Sequence, residues 1–417
     1  VEPKHRLHIL YILNASGGGA TQGILELLRS LPDDEYEAFL VVPDQPTERE
    51  SEIFSKLAQH YFEVSMIWWN LKVDLPWYWR ILAWAHGMIK TLGHLLPLWR
   101  LCRIIREHKI DIVYTNTAMI LDGALAARLC GIPHIWHIKE WIGAQARVKF
   151  ALPDGLLVKV ITGLSARVIV MTNFIGAIFS SYGETEKLQV ISDGVNLADF
   201  QASHFGSALR TKLGIPPNQF LVGMSASLSS TWKRHDVFID MAALLAVRLP
   251  NISFVAFGLE PQQYTNPAYN RSWYYYQLLQ SRVKTLHLED RFYWAGFCND
   301  IPTMMDALDV LVHPCEIEPF GRVAIEAMAA SRPVVGPSQG GIAESVVNGE
   351  TGLLVDAGNP QAFADAVITL HNRSFYRAAL AAKGPDRVAR MFSIQEHSTK
   401  ICQVYQAVYK EKKMRQV

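Results

Sequence analysis

Short, almost continuously apolar runs recur along the first half of the chain, at residues 7–12, 36–42, 111–116, 133–138, 167–172 and 187–192, separated by longer stretches of helical pattern. A run that is apolar on both faces is what a parallel strand needs when helices cover both sides of its sheet. These runs predict one doubly wound α/β domain. After a less apolar passage around 196–217 the same rhythm restarts at 220–226, 253–258, 291–296, 310–315, 333–338 and 351–356, which predicts a second. The expected division is 1–203 and 204–396, with a final helix over 397–417. Ligands of such sheets sit at the carboxyl ends of the strands, so function is expected in a cleft between two facing domains.

Composition narrows the class. Of 417 residues half are apolar and 19% charged, with 27 glycines and 20 prolines, which excludes disordered, collagenous and coiled-coil chains. Forty Lys and Arg against 39 Asp and Glu leave no basic excess for a nucleic-acid partner. Five scattered cysteines without a C-x-x-C pair fit a reducing compartment and no zinc site. Val1–Arg6 runs straight into a short apolar strand without a signal-peptide core, and no run reaches the roughly 18 apolar residues a spanning helix needs. A cytoplasmic protein is expected.

Residues 66–109 depart from the general pattern. They hold six tryptophans (Trp68, Trp69, Trp77, Trp79, Trp84, Trp99) and seven basic residues against two acidic ones. Aromatic rings with lysine and arginine suit the surface of an anionic membrane, here its inner face, or an acceptor pocket. Aromatics at helical spacing also suit a core, with the arginines as a solvated face.

Two stretches carry candidate chemistry. After the first strand, Asn14-Ala15-Ser16-Gly17-Gly18-Gly19-Ala20-Thr21 leads into a helical pattern, so that backbone amides at the helix start can meet a diphosphate. A dinucleotide fingerprint fails there, because Gln22 stands where its third glycine belongs, although Asp44 ends the second strand where a ribose-binding acid would lie. In the second half, Glu316-Ile317-Glu318-Pro319-Phe320-Gly321-Arg322-Val323-Ala324-Ile325-Glu326 reads as a loop and then an alanine-rich helix. Eight helical residues would hold Glu318 and Glu326 about 12 Å apart, too far to clamp one metal but suited to two separate polyols, such as a ribose and a hexose.

At this point the chain resembles the retaining GT-B glycosyltransferases, specifically their large fourth family of nucleotide-sugar enzymes. The resemblance rests on the Glu, seven residues, Glu pattern with Pro-Phe-Gly behind the first acid. It continues through Ser331-Arg332-Pro333-Val334-Val335, Gly340-Gly341-Ile342-Ala343-Glu344, Asn348-Gly349 and Thr351–Val355, and upstream at Ala295-Gly296-Phe297, Asp309, His313-Pro314 and Ser192-Asp193-Gly194-Val195-Asn196. It implies a GT-B fold of two Rossmann-like domains, an N-terminal one for the acceptor and a C-terminal one for the nucleotide sugar, with the last helix returning to the first.

By the same resemblance Glu318 contacts the donor sugar and Glu326 the ribose diol. Phe320, Gly321, Arg322 and Val323 would meet sugar and phosphate through backbone, Gly18 and Gly19 the diphosphate, and Phe297 the donor. His137, in Ile135-Trp136-His137-Ile138-Lys139-Glu140, matches a histidine near the donor sugar, although such a residue taken alone is as readily a satisfied core histidine. Lys233 matches the phosphate-binding lysine. Ser227 stands where relatives carry an arginine, whose charge Arg234 or Arg322 could supply.

The implied activity is transfer of a hexosyl unit, from a donor such as UDP-glucose, to a lipid-linked or polysaccharide acceptor with retention of configuration. No Asp-x-Asp occurs, so no metal and no cofactor besides the donor substrate are expected. Two alternatives stand beside this reading. One is a catalytically silent nucleotide-sugar-binding scaffold, to which Ser227 points; the other is an NAD-dependent oxidoreductase.

Overall fold

A computed structural model describes residues 6–13, 19–42, 54, 58, 60–66, 68–71, 95–202, 205–228, 231–258 and 271–415. The chain divides into two compact units, Val1–Gly194 with Ile394–Val417 and Val195–Ser393. The first ends nine residues before the expected boundary at 203. The reason is local: the Val195 amide bonds to the carbonyl of Phe392 at 2.9 Å and Val195 bridges Ser393, which ties the chain from Val195 on to the second unit.

In the first unit all six expected strands form. They are β1 (Leu7–Ile12), β2 (Tyr36–Val42), β5 (Ile112–Thr115), β6 (His134–Ile138), β8 (Arg167–Val170) and β9 (Leu188–Val190), together with an edge strand, β3 (His60–Glu63). The pattern missed β3 because His-Tyr-Phe-Glu carries no buried apolar run, as befits an edge. The sheet is parallel in the order β3-β2-β1-β5-β6-β8-β9. A separate antiparallel pair joins β4 (Asn70–Leu71) to β7 (Lys149–Phe150).

Helix Gly19–Ser30 and the C-terminal helix Ile394–Met414 share one core with one face of this sheet. Ile401, Val404, Tyr405 and Val408, spaced to share a helix face, pack with Leu7, Ile9, Tyr11 and Tyr114. The helix therefore completes the first unit from three residues earlier than expected.

The second unit repeats the plan. Its strands β10 (Phe220–Ser225), β11 (Ile252–Phe257), β12 (Phe292–Gly296), β13 (Val310–Val312), β14 (Val334–Pro337) and β15 (Gly352–Val355) pair in parallel in the order β12-β11-β10-β13-β14-β15. Numbered within each sheet, the first runs 3-2-1-4-5-6-7 and the second 3-2-1-4-5-6, so both reverse direction between the first and fourth strands. In the second unit that switch point lies between the ends of β10 and β13. In the first it lies between β1 and β5.

Candidate functional site

The second unit's switch point gathers three residues separated by up to 85 positions in sequence. After β10 the chain makes a short 3₁₀ turn over Thr231–Lys233 and enters helix His235–Arg248. After β13 come buried His313 and Cys315, then the loop that carries Glu318. Lys233 Nζ donates to Glu318 Oε2 at 2.6 Å, and His313 Nε2 meets the same oxygen at 2.9 Å. The ammonium also rests on the Trp232 ring, 4.1 Å from its centroid.

Burial by itself would raise the Glu318 carboxyl; the Lys233 charge and the His313 hydrogen bond override it and hold the group well below the usual carboxylate range. Burial lowers His313, so it is a neutral imidazole that donates Nε2–H to Glu318. His313, Cys315 and Glu318 bring their ligand atoms within 4.8 Å of one another, a trio that could hold a metal ion, but the Lys233 ammonium already neutralises its carboxylate.

The loop after Glu318 is shaped by glycines. Gly321 adopts φ +84° and caps helix Arg322–Ala329, whose first-turn amides face away from the helix body. The Gly341 amide donates to the Glu318 carbonyl at 2.7 Å, and a Cβ on Gly341 would lie only 1.9 Å from the Pro319 oxygen. A side chain there would push the loop off. As the sequence suggested, Glu318 lies in the loop before the helix and Glu326 within it; because the helix starts only at Arg322, the spacing of eight helical residues does not apply to the pair.

Each cation expected at the phosphate has a carboxylate partner here. Lys233 holds Glu318, Arg322 Nε donates to Glu326 Oε1 at 2.8 Å, and the Arg234 guanidinium makes three contacts of 2.9–3.2 Å with Asp236. Arg234 sits at φ +58° as the N-cap of its helix, so its position is set by backbone and by Asp236. The Phe320 side chain is buried and packs edge-on to Phe392, which leaves its backbone as the part a ligand could meet. Val323 is half-buried, and Phe297, just past β12, is 55% exposed.

In the first unit Gly18 lies outside the described residues, while Gly19 opens helix Gly19–Ser30 and is exposed. His137 stands near the end of β6, fully buried. Its Nδ1 is hydrogen-bonded to the Tyr114 hydroxyl, its ring lies 6.4 Å from that of His397, and its Nε2 has no partner among the described residues. Two residues on, Lys139 forms a buried ion pair with Asp193. His137 is therefore half satisfied, unlike the fully paired core histidine that was the alternative.

Segment 66–109 is described only in part. Trp77, Trp79 and Trp84 lie outside the described residues. Trp68 and Trp69 serve packing: Trp68 lies against the core, and the Trp69 indole donates to the Ala118 carbonyl at 2.7 Å, stacks on Trp136 and lies tilted against Phe150. Helix Leu95–Glu107 buries Leu101, Cys102, Ile104 and Ile105 while leaving Leu95, Leu96 and Trp99 about 60% exposed beside Arg103. Among the described residues no helix is long and apolar enough to cross a membrane.

Sequence reasoning had not assigned site roles to His313, Trp232, Gly341 or Tyr114. For His313 a signal existed, an imidazole at a strand end five residues before the first acid of the pair. For Tyr114 there was none, since it reads as one more apolar strand residue.

The profile of Glycosyltransferase Family 4 matches residues 17–199 and that of Glycosyl transferases group 1 matches residues 207–387. The lipopolysaccharide core biosynthesis mannosyltransferase LpsB of Rhizobium meliloti is 31% identical over 224 residues, 52% of this chain and 60% of the relative. A D-inositol 3-phosphate glycosyltransferase of Streptomyces scabiei is 31% identical over 319 residues, 70% of this chain and 64% of the relative. The chain spans between about half and just under two thirds of the length of such curated relatives. The crystal structure of Anabaena HepE in complex with UDP-glucose superposes with a TM-score of 0.77 over 96% of this chain and all of that one, at 22% identity, which is a likeness of fold.

Proposed function

We propose that this chain, which belongs to the GT-B glycosyltransferases, moves a hexosyl unit from a nucleotide sugar, UDP-glucose being the first donor to test, to a lipid-linked or polysaccharide acceptor. The observation that carries the reading is the Lys233–Glu318–His313 cluster at the switch point of the second unit, where ligands of such sheets bind. A relative named for lipopolysaccharide core biosynthesis, and a fold neighbour solved with UDP-glucose, support the substrate class.

In this reading the paired cations are exchangeable. The donor diphosphate takes Lys233, with the first amides of helix Arg322–Ala329 behind it, while the carboxylates of Glu318 and Glu326 turn to sugar and ribose hydroxyls. The bond between the sugar C1 and the phosphate oxygen breaks, and the acceptor oxygen bonds C1 from the same face. The acceptor proton passes to the leaving phosphate, so no separate base is needed. Lys233 stabilises the charge that develops on that phosphate, the role a divalent ion plays elsewhere. In the first unit His137 is assigned a hydrogen bond to the transferred sugar, and the exposed apolar and basic face of helix Leu95–Glu107 a contact with the membrane that carries the acceptor.

Incubating a panel of nucleotide sugars with the protein and measuring released nucleoside diphosphate tests the proposal. Release from one donor, lost in Lys233→Ala and in Glu326→Ala, is the expected result. Ser227, in the place of an arginine, favours the silent scaffold, which predicts binding without release even when acceptor lipids are supplied.

A further inference from the structure

Tyr114 on β5 and His137 on β6 turn to the sheet face that also receives Tyr405 and His397 from the C-terminal helix. The Tyr114 hydroxyl is fully buried, and its hydrogen bond is to His137 Nδ1. Burial raises this hydroxyl far above its usual range, so it keeps its proton. A buried O–H needs an acceptor, and Nδ1 is the one in contact. The donor is therefore Tyr114. Nδ1 then carries a lone pair, and in a neutral imidazole the remaining proton sits on Nε2. Burial, together with the nearby Lys139 charge, lowers His137 well below its usual range and keeps the ring neutral.

The consequence is an N–H at Nε2 that is buried and has no acceptor among the described residues. We infer that Tyr114 is a positioning residue that holds His137 in the Nε2–H tautomer and so presents an unpaired donor for an oxygen of the transferred sugar. The inference rests on the sugar contact proposed above for His137. An unpaired donor in a low-dielectric site bonds an arriving oxygen more strongly than one already engaged with water. Because the ring is fully buried, that oxygen reaches it only when the covering residues part. His397, ring to ring at 6.4 Å and held by its own hydrogen bond from Nδ1 to the Ser192 carbonyl at 2.8 Å, limits how far the imidazole can swing.

The full chain labelled with ¹⁵N-histidine tests this directly, with His137→Asn used to assign the signals. In the wild type Nδ1 should read as unprotonated and Nε2 as protonated, and Nε2 should shift on adding UDP-glucose but not UDP. Tyr114→Phe keeps the ring contacts with Tyr11 and Tyr405 and removes only the hydroxyl. It should mix the tautomers and slow UDP-glucose hydrolysis about tenfold, with UDP affinity unchanged within about twofold. A proton on Nδ1 in the wild type overturns the proposal, and that measurement stands if Tyr114→Phe does not fold. A Tyr114→Phe protein with wild-type tautomer and turnover also overturns it, as does hydrolysis by the wild type without any Nε2 shift. Failure of the wild type to bind UDP or release it from UDP-glucose refutes instead the donor reading.

Discussion

Each unit holds a lysine–carboxylate pair at the carboxyl ends of its sheet, and the two pairs differ in burial. Lys139 and Asp193 are 5% and 4% exposed in the first unit; Lys233 and Glu318 are 17% and 12% exposed in the second. Asp193 packs closely on Gly23, where a Cβ would come within 2.9 Å of its Oδ2. Glu318 is held by flexible Lys233 from one side and by a loop lying on glycines from the other. On the proposed reading, the same pairing chemistry is a fastening in the more buried pair and an exchangeable contact in the less buried one.

The sharpest way to break this comparison is to remove one lysine from each pair. Lys139→Ala strands a buried carboxylate and should cost about 3–5 kcal/mol of stability in urea denaturation. A loss below about 1 kcal/mol would place the pair with ordinary surface ion pairs. Lys233→Ala should cost about 1–2 kcal/mol of stability, while nucleoside diphosphate release falls about 10²–10³-fold. Retained turnover with a stability loss as large as that of Lys139→Ala would make both pairs fastenings.

Acid should weaken both units together. Burial lowers His134 in the first unit to about 3 and His235 in the second to about 4, whereas in the unfolded chain each titrates near its ordinary 6.5. The unfolded state therefore binds more protons below about pH 6.5, and stability falls with pH from there down to those folded values, by up to about 1.4 kcal/mol per pH unit for each histidine. Urea midpoints from pH 7.5 to 5 measure the slope, and His134→Asn should remove one histidine's share. The smallest effect is expected at the second acid: Glu326→Gln should weaken UDP binding about tenfold in calorimetry and leave Lys233–Glu318 intact. Unchanged affinity would mean that Glu326 serves only Arg322.

Much of the fold was legible because it repeats one rule. Every expected strand run contains a strand, since a parallel strand covered on both faces must be apolar throughout. The rule fails where burial fails, at polar edge strand β3 and at the two-residue pair β4–β7, which no pattern of that length can announce. The domain boundary falls at Gly194, just before Val195 bridges Ser393 and bonds to the Phe392 carbonyl, contacts between residues far apart in sequence. At the candidate site the acids and the basic candidates could be named from local motifs, but their partners could not. Arg234, a candidate for the phosphate, is paired with Asp236 two residues on and has a left-handed backbone, neither of which its motif announces.

The sequence by itself therefore determined the two parallel sheets, the glycine-lined loop after β13 and the identity of the acids in it, because each depends on residues close together in the chain. Tertiary structure alone decided that Lys233, 85 residues away, would close on Glu318, that His313 would be neutral, and that Tyr114 would take the Nδ1 side of His137. Strand order sets those meetings. A reversal between the first and fourth strands brings distant loop ends together, and burial there fixes which atoms keep their protons.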